Sequence, residues 1–429
     1  MSQSLKRLKV KLRIAVVQLN PRIGHVDQTL ARINSIVSRI ERYRPDIVVF
    51  PEFALSGYSF HSRSHIEPYL SQPTNGPAWD ICQRISKRLS CITVMGYPEI
   101  VRESSQKAYN SAIVVNANGE LVFNYRKAFL YYTEEEWGCS ENPAGFQTFD
   151  LPFYQKACDS DGRLYDVSLK SAIGICMDLS PYKFQAPFYD FEFSSFHSEH
   201  STELILFPMA WLHSISATRE SKNPEQQKKE IAQSQQSLGF QSHGSQGEYQ
   251  LDILLNDGTC IKESPSAVTC DLPDVQVKSA FSHPAEPDLT NVDYWILRFM
   301  PLLAYRQRKN WFSGGLLATV LKKFQEIRTT YMGASLEKPW SFEHKNTVAV
   351  MCNRCGVEDG TTVYAGSSSV FKFNGKYGNF EEELDSSNRS VEVLGSLGKG
   401  YEGVLLRDVE IEVLREVDDK AIAIVPERT

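Results

Sequence analysis

Three polar residues stand at the ends of three β-rich runs and could act together in one reaction. Glu52 follows "DIVVFP", Lys127 follows "LVFNYR" and Cys176 follows "SAIGI". Side chains at the strand ends of an α/β sheet project into a shared crevice, so we expect these three to lie close together. A thiol, a carboxylate and an ammonium group in one crevice suit nucleophilic attack on a carbonyl carbon.

Each residue type has a definite role in that chemistry. A thiol attacks well only as its thiolate, so Cys176 needs a base. Glu52 can be this base if burial raises its pKa towards neutrality. Lys127 then stabilises the developing oxyanion with its charge, helped by a backbone N–H near Met177. Taken alone, Cys176 is more typical of a small buried hydrophobic residue, so the hypothesis depends on all three together.

The elements that must position these residues alternate between strand and helix. Apolar runs and helical spacing predict strand, amphipathic helix and strand in "LRIAVVQLN", "DQTLARINSIVSRIERY" and "DIVVFPE". A second helix and strand follow in "NGPAWDICQRISKRL" and "CITVMGY", and a hairpin is predicted to turn at Asn118 and Gly119. Further buried strands are indicated by "LKSAIGIC", "TELILFPMAW" and "NTVAVMCN". The fold class is therefore α/β with a covered sheet.

We interpret the whole chain, residues 1–429, as one domain with an insertion. Between residues 214 and 273 the composition shifts to Gln, Ser, Lys and Glu with few large apolar residues. Such a segment cannot contribute much core, so we expect a polar, partly disordered surface insertion. The short run "YQLDILLND" within it is the part that can be ordered.

Charge and cysteine content exclude several classes of function. A formal net charge of -6 argues against nucleic acid as a partner, because phosphate binding needs a basic surface. No apolar stretch is long enough for a membrane span. Nine scattered cysteines without framework spacing suit a reducing compartment. We expect a cytoplasmic protein, with a mitochondrial or nuclear pool as the alternative.

Metal binding has little support in the sequence. Cys352 and Cys355 form one isolated CxxC pair, and a zinc site of this kind needs a second pair. His61 and His65 have zinc-like spacing but lack the glutamate of an HExxH motif. We therefore expect no metal.

The chain resembles the carbon–nitrogen hydrolase family, also called the nitrilase superfamily, whose members use a Glu, a Lys and a Cys. The resemblance covers residues 12–405 apart from the polar insertion. Matching motifs surround the three residues: "FPEFALSGY", "NYRKAFLYYTEEEW" and "GICMDLSPYKF". Other segments look like a narrower subgroup, the fungal protein N-terminal amidases: "WGCSENPAGF", "FPMAWL", "VDYWILRFMPLL" and "CNRCGVEDGTTVYAGSSSVF".

The resemblance implies a four-layer αββα sandwich and a specific reaction. This reaction is hydrolysis of the side-chain amide of an N-terminal Asn or Gln of a polypeptide to Asp or Glu, through a Cys176 thioester and with release of ammonia. It implies no cofactor, a setting in the N-degron route of protein degradation, and homodimers in some members. The ratio of Asn to Gln activity and the oligomeric state of this chain stay open.

The resemblance also implies a second glutamate that positions the lysine and the substrate. Glu141 in "CSENP" is our choice, with Glu134, Glu135 and Glu136 as rivals. A free α-amino group needs an acidic partner, for which Asp178 and Glu141 are the candidates. Asp178 could equally be a turn cap. Trp137 and Trp211 are further candidates for substrate contact, although aromatic residues are more often core.

Two rival functions remain at the level of sequence. The same three catalytic residues serve small-molecule amidases, carbamoylases and nitrilases, which differ in their pockets. A non-catalytic scaffold that binds chain termini is a rival of a different class. Because all three catalytic residues are present, the scaffold is disfavoured.

Overall fold

The computed structural model describes residues 3–102, 106–216, 218, 223–238, 252–262, 283–303, 342–375 and 390–418. Its helices are α1 (Val26–Ile40), α2 (Arg63–Ile66), α3 (Pro77–Leu89), α4 (Tyr132–Glu136), α5 (Glu192–Glu199), α6 (Pro224–Leu238) and α7 (Leu289–Arg298). Single 3₁₀ turns span Glu41–Tyr43, Glu67–Tyr69, Cys176–Leu179, Tyr182–Phe184, Phe188–Asp190 and Met300–Leu302.

The strands of the first half of the chain are β1 (Gln3–Gln18), β2 (Ile47–Val49), β3 (Ile92–Val101), β4 (Lys107–Val115), β5 (Leu121–Arg126), β6 (Phe149–Cys158) and β7 (Leu164–Ile173). Those of the second half are β8 (Leu204–Met209), β9 (Asp252–Leu254), β10 (Cys260–Lys262), β11 (Asn346–Asn353), β12 (Val357–Glu358), β13 (Thr362–Val363), β14 (Ser369–Asn374), β15 (Val391–Ser396) and β16 (Gly403–Asp418).

The strands form two halves with the same plan. In one half, β1, β2 and β3 run parallel, and β4 and β5 continue the sheet as antiparallel strands. In the other, β7, β8 and β11 run parallel, with β6 on one side and β14 and β15 on the other as antiparallel strands. A short pairing between β1 and β6 joins the two halves.

Alternate residues of β1 show how the layers stack. Ile14 and Val16 belong to a core that they share with β7, β8 and β11 of the other half. Ala15 and Val17 belong to a second core, which they share with α1 and α3. Because strand side chains alternate between faces, the first half lies between these helices and the second half. Helices α5 and α7 pack on the first of these cores, which completes the predicted αββα sandwich.

This arrangement brings the three predicted catalytic residues to one edge. Glu52 follows β2, Lys127 follows β5 and Cys176 follows β7. Strand β5 runs in the direction of β3 because each pairs antiparallel with β4, and β7 runs in the direction of β1 because each pairs antiparallel with β6. The carboxyl ends of all three strands therefore lie on the same side of the molecule.

The predicted insertion at 214–273 lies partly outside the described residues. Its described parts include α6 and the β9–β10 hairpin. Ile231 of α6 is buried against Val357 and Val363, and Ile253 of β9 is buried in the core beside α1 and α3. The run "YQLDILLND" is thus ordered where β9 lies. The predicted disorder concerns residues outside the described part and stays a prediction.

The assignment of the chain to one domain also stays a prediction, supported by the pairing of its two ends. Strands β1 and β16 pair antiparallel from Gln3 with Asp418 to Gln18 with Gly403. In the described part of the chain, no helix is both long and apolar enough to cross a membrane. Nor do three or more His, Cys, Asp or Glu side chains come together there as a metal site would require.

Candidate active site

Glu52 lies in a sharp turn after β2. The next residue, Phe53, has a φ of 47°, and the Glu52 side chain is completely buried. Gly96 of β3 sits against this turn, where an added Cβ would stand 2.6 Å from the Glu52 Cα. A glycine at this position therefore lets β3 approach the backbone of Glu52 closely.

Lys127 is fixed both at its backbone and at its ammonium group. Its N–H donates to the Asn110 carbonyl over 2.8 Å. Its Nζ donates to Glu52 Oε1 over 2.9 Å and to Glu134 Oε1 over 2.6 Å, and all three side chains are completely buried. Two carboxylates thus share one buried ammonium group, as a positioned lysine requires.

The choice of Glu141 as the second glutamate is corrected by the structure, which places Glu134 against the lysine instead. Glu134 lies in the short helix α4, and its Oε2 accepts a hydrogen bond from the Tyr131 N–H over 3.0 Å. This contact at the start of α4 turns the carboxylate towards Lys127. Of the three rivals that the sequence left open, Glu134 is the one nearest to Lys127 along the chain.

Asn110 is a site residue that the sequence analysis missed. Its Nδ2 donates to Glu52 Oε1 over 2.5 Å and to Glu134 Oε1 over 2.8 Å. The amide therefore bridges the two carboxylates that hold the lysine. An Asn within the buried part of strand β4 is the signal that could have revealed it, because a buried polar side chain needs partners.

Cys176 occupies a strained elbow between β7 and the 3₁₀ turn Cys176–Leu179. Its φ is 40°, in the left-handed region that non-glycine residues rarely adopt. The side chain is buried with 9% of its surface exposed. The Ala210 N–H after β8 is directed at the sulfur and stabilises its thiolate form. The elbow thus presents Sγ at the carboxyl edge of the sheet.

Asp178 holds this elbow in place, and its predicted contact with substrate is corrected. Oδ2 accepts hydrogen bonds from the Ile175 N–H and the Tyr125 hydroxyl, over 2.8 and 2.9 Å. Oδ1 accepts from the N–H groups of Ala128 and Phe129, over 3.0 and 2.8 Å. The carboxylate is fully buried and committed to these four donors. It ties the segment after Lys127 to the residues around Cys176.

The two predicted tryptophans have different surroundings. Trp137 is 1% exposed and packs edge-on against Tyr58 and Phe60, so its position is that of a core residue behind the Glu52 turn. The structure does not support its predicted contact with substrate. Trp211 is half-buried and follows the residue whose N–H faces Cys176. Its contact with substrate stays a prediction.

Glu141 lies beside the backbone of Lys127 without touching its ammonium group. The N–H of the next residue, Asn142, donates to the Lys127 carbonyl over 2.9 Å. Glu141 Oε2 accepts a hydrogen bond from the Tyr182 hydroxyl over 3.3 Å. Oε1 is buried and has no hydrogen-bond partner among the residues that the structure describes. One buried carboxylate oxygen of Glu141 therefore lacks a hydrogen-bond donor among the described residues. The residue lies between the Lys127 backbone and the segment after Cys176.

The electrostatics distribute protons in a way that favours base-assisted attack. Burial raises the pKa of Glu52 to about 7; the Lys127 charge lowers it and the Glu134 charge adds to the rise. Burial and then the Glu52 charge raise the pKa of the Cys176 thiol well above its ordinary value. Burial acts to lower the pKa of Lys127, but Glu134 and Glu52 raise it overall. Near neutral pH the thiol is protonated, Lys127 is charged, and Glu52 can accept a proton.

Replacing Glu134 with glutamine will decide between the two glutamates. We expect kcat to fall by about 100-fold, because the amide cannot hold the Lys127 charge in a buried site. The acid limb of kcat/KM will also move to lower pH, since the Glu134 carboxylate raises the pKa of Glu52. Both effects are measured in a pH series of initial rates.

The control for this prediction is Glu135→Gln in the same helix. Glu135 is half-exposed and pairs with Lys183 on the surface, so this variant should keep the wild-type profile. If Glu141→Gln shifts the acid limb while Glu134→Gln does not, the correction in favour of Glu134 is wrong.

Comparison with known proteins shows the family of the chain. The carbon–nitrogen hydrolase family profile matches residues 13–177, which include the turn after β2 and the cysteine elbow. The chain is 44% identical to a Saccharomyces cerevisiae protein described as a protein N-terminal amidase; the match covers 95% of this chain and 97% of that protein. A Schizosaccharomyces pombe protein of the same description is 27% identical, over 50% of this chain and 75% of that protein.

Solved structures give the same result. A crystal structure of an N-terminal amidase with an Asn-Glu peptide superposes with a TM-score of 0.78 at 44% identity. One with a Gln-Val peptide superposes with a TM-score of 0.79, also at 44% identity. Both matches cover 95% of this chain and 100% of the other.

Proposed function

The chain belongs to the carbon–nitrogen hydrolase family, within its protein N-terminal amidases, and from this premise we propose that it deamidates N-terminal Asn and Gln of polypeptides. The observation that carries the proposal is the buried cluster of Glu52, Lys127 and Glu134 beside the strained Cys176 elbow. A site of this composition can hydrolyse an unactivated amide without a histidine. The products are Asp or Glu at the chain terminus, and ammonia.

The first half of the reaction forms a thioester. Glu52 Oε1 is occupied by Lys127 and Asn110, whereas Oε2 is buried and has no partner among the described residues. Oε2 therefore takes the proton from Cys176 as Sγ attacks the side-chain amide carbon. The Lys127 ammonium group and the Met177 N–H stabilise the negative charge on the amide oxygen.

The second half restores the enzyme. Glu52, now protonated, gives its proton to the departing nitrogen, which leaves as ammonia when the C–N bond breaks. A water molecule then donates a proton to Glu52 and attacks the thioester carbonyl. Breakdown of this second adduct releases the carboxylic acid and returns the thiol. A pKa of about 7 suits a residue that must both accept and donate a proton near neutral pH.

Glu141 is the acidic group best placed to bind the substrate's α-amino group. Asp178 is saturated by four donors, so it has no acceptor left for an ammonium group. Glu141 has one buried oxygen without a partner in the described residues, next to the Lys127 backbone. An ammonium group would satisfy that oxygen through a charge-assisted hydrogen bond.

The proposed cellular setting is implied by the family. Conversion of an exposed terminal Asn to Asp would change how degradation machinery reads the chain, so we propose a role in the N-degron route. A cytoplasmic location is supported by cysteines that are free throughout the described residues. Homodimer formation and a lack of nucleic-acid and membrane partners remain predictions.

The decisive experiment is mass spectrometry of short peptides incubated with the protein. One peptide begins with Asn, one with Gln and one with N-acetyl-Asn, and a small free amide is tested beside them. We expect amide-to-acid conversion of the two free-amino peptides only. Conversion of the small amide alone would instead support a small-molecule amidase, and conversion of none would leave a carbamoylase, nitrilase or binding role.

Replacing Glu141 with glutamine will test the ammonium site. We expect KM for a free Asn peptide to rise by about 10- to 100-fold with little change in kcat, because a hydrogen bond between charged groups is lost. Steady-state kinetics on the free-amino peptides measure both constants. Glu135→Gln is the matched control, because Glu135 pairs with Lys183 on the surface of α4, and it should keep the wild-type KM. An unchanged KM in Glu141→Gln would exclude Glu141 as the ammonium partner.

A further inference from the structure

The Glu358 carboxylate is buried. It is distant in sequence from Glu52, Lys127 and Cys176, yet it binds the backbone of the segment that follows Glu52. It accepts hydrogen bonds from the Tyr58 N–H over 3.0 Å and the Ser59 N–H over 2.9 Å. Arg354 Nη1 and the Tyr364 hydroxyl donate to the same carboxylate, over 2.9 and 2.6 Å. Four donors thus satisfy one buried anion, as burial of a charge requires.

Gly57 makes room for this contact. Its φ is +78°, and an added Cβ would overlap Glu358 Oε1. A side chain at this position would therefore displace the carboxylate from the Tyr58 and Ser59 N–H groups. The requirement for glycine is thus a requirement for close approach as well as for backbone conformation.

Tyr58 carries this anchor into the catalytic cluster. Its hydroxyl donates to Glu134 Oε1 over 2.6 Å. The same oxygen accepts from Lys127 Nζ and Asn110 Nδ2. The Tyr58 ring is 4% exposed and packs edge-on against Trp137 and Tyr364. Backbone anchor, ring packing and hydroxyl together allow this side chain one orientation.

We propose that Tyr58 is a positioning residue for the reaction, and that Glu358 acts through it by holding its backbone. Tyr58 fixes the Glu134 carboxylate, and Glu134 in turn fixes the Lys127 ammonium group that faces the developing oxyanion. Neither Tyr58 nor Glu358 touches the reacting atoms in this scheme. Glu358 and Arg354 lie outside residues 13–177, so this support comes from beyond the family profile. The inference rests on the proposed amidase activity.

Tyr58→Phe tests the first link, because it removes the hydroxyl and keeps the ring. We expect kcat to fall about tenfold, since one hydrogen bond to a charged group is lost, while KM stays within about twofold. Tyr97→Phe is the matched control: Tyr97 is also buried, and its hydroxyl donates to Asn124 away from the cysteine elbow. The control should keep wild-type kinetics.

A double-mutant cycle separates positioning from a general loss of packing. If Tyr58 acts through Glu134, Tyr58→Phe will cost less than about twofold in kcat once Glu134 is glutamine. Independent effects would multiply instead, and a multiplicative double variant would overturn the proposal. A rise in KM with an unchanged kcat in Tyr58→Phe would overturn the proposal as well.

Glu358→Gln tests the second link. We expect its kcat loss to shrink when Tyr58 is already phenylalanine, because the two changes act along one path. This variant leaves the buried Arg354 without its carboxylate, so thermal unfolding must accompany it. If Glu358→Gln does not fold, the Tyr58 and Glu134 cycle still decides the first link.

A readout without substrate keeps this proposal distinct from the proposed activity. The Lys127 charge lowers the pKa of the Cys176 thiol, so a displaced lysine should slow alkylation of Cys176 by iodoacetamide. We expect slower alkylation in Tyr58→Phe than in wild type and Tyr97→Phe. If the peptides are not hydrolysed but alkylation slows as expected, the activity proposal fails and the positioning proposal stands. Equal alkylation rates and an unchanged kcat would refute the positioning proposal.

Discussion

Replacing Cys176 with alanine will abolish turnover while the protein stays folded. Without Sγ no thioester can form, and loss of a nucleophile lowers kcat by on the order of 10⁵-fold. The elbow itself does not depend on the thiol, because Asp178 holds it through the Ile175 N–H and the Tyr125 hydroxyl. The measurements are mass spectrometry of an Asn peptide for turnover and thermal unfolding for the fold.

Cys82→Ala is the matched control for this variant. Cys82 is also completely buried, but it lies in α3, in the core between that helix and the sheet. We expect a modest loss of stability, about 1 kcal/mol in the free energy of unfolding, and wild-type kcat. Turnover by Cys176→Ala at more than a trace of the wild-type rate would refute the covalent mechanism.

Replacing Glu52 with glutamine will remove the base and keep the shape of the side chain. We expect kcat/KM to fall by about 1,000-fold, because an amide oxygen cannot take the proton from the thiol. Acid quenching followed by mass spectrometry of the intact protein should show acyl-enzyme in wild type and none in the variant. Normal thioester formation in Glu52→Gln would assign the base to another residue.

The pH profile gives an independent check on Glu52. Because its pKa is raised to about 7, the base is increasingly protonated below that pH. On the acid side of the profile, wild-type kcat/KM should therefore fall about tenfold for each pH unit below the pKa of the base, so this acid limb should begin near pH 7. In Glu52→Gln this limb should disappear. A wild-type limb near pH 4 would contradict the role of burial in raising the pKa.

The sheet and its catalytic edge could be predicted from the sequence because their causes are local. Apolar runs such as "DIVVFPE" and "SAIGIC" are short and bounded by polar residues, so each predicts a buried strand with a polar residue at its end. The structure places β2 in the first run, and β7 ends in the second run at Ile173; Glu52 and Cys176 follow these strands. The hairpin turning at Asn118 and Gly119 is likewise confirmed between β4 and β5.

The partners of these residues could not be read in the same way, because they come from distant segments. Asn110 bridges Glu52 and Glu134 from the middle of β4, and Glu358 reaches the Glu52 turn from far along the chain. A one-dimensional pattern reports whether a side chain is apolar, but it does not report which buried polar groups meet. The first meeting follows from how the strands of one half pair, and the second from how the two halves pack.

The sequence by itself determined the fold class and the family, and it singled out three candidate catalytic residues, because residue type and order carry that information. Only the tertiary structure decided which acidic residues do what. Glu134 faces the lysine because the Tyr131 N–H turns its carboxylate inward, whereas Asp178 is consumed by four donors around the elbow. A carboxylate's role depends on the donors that surround it, and those donors are assembled only when the chain folds.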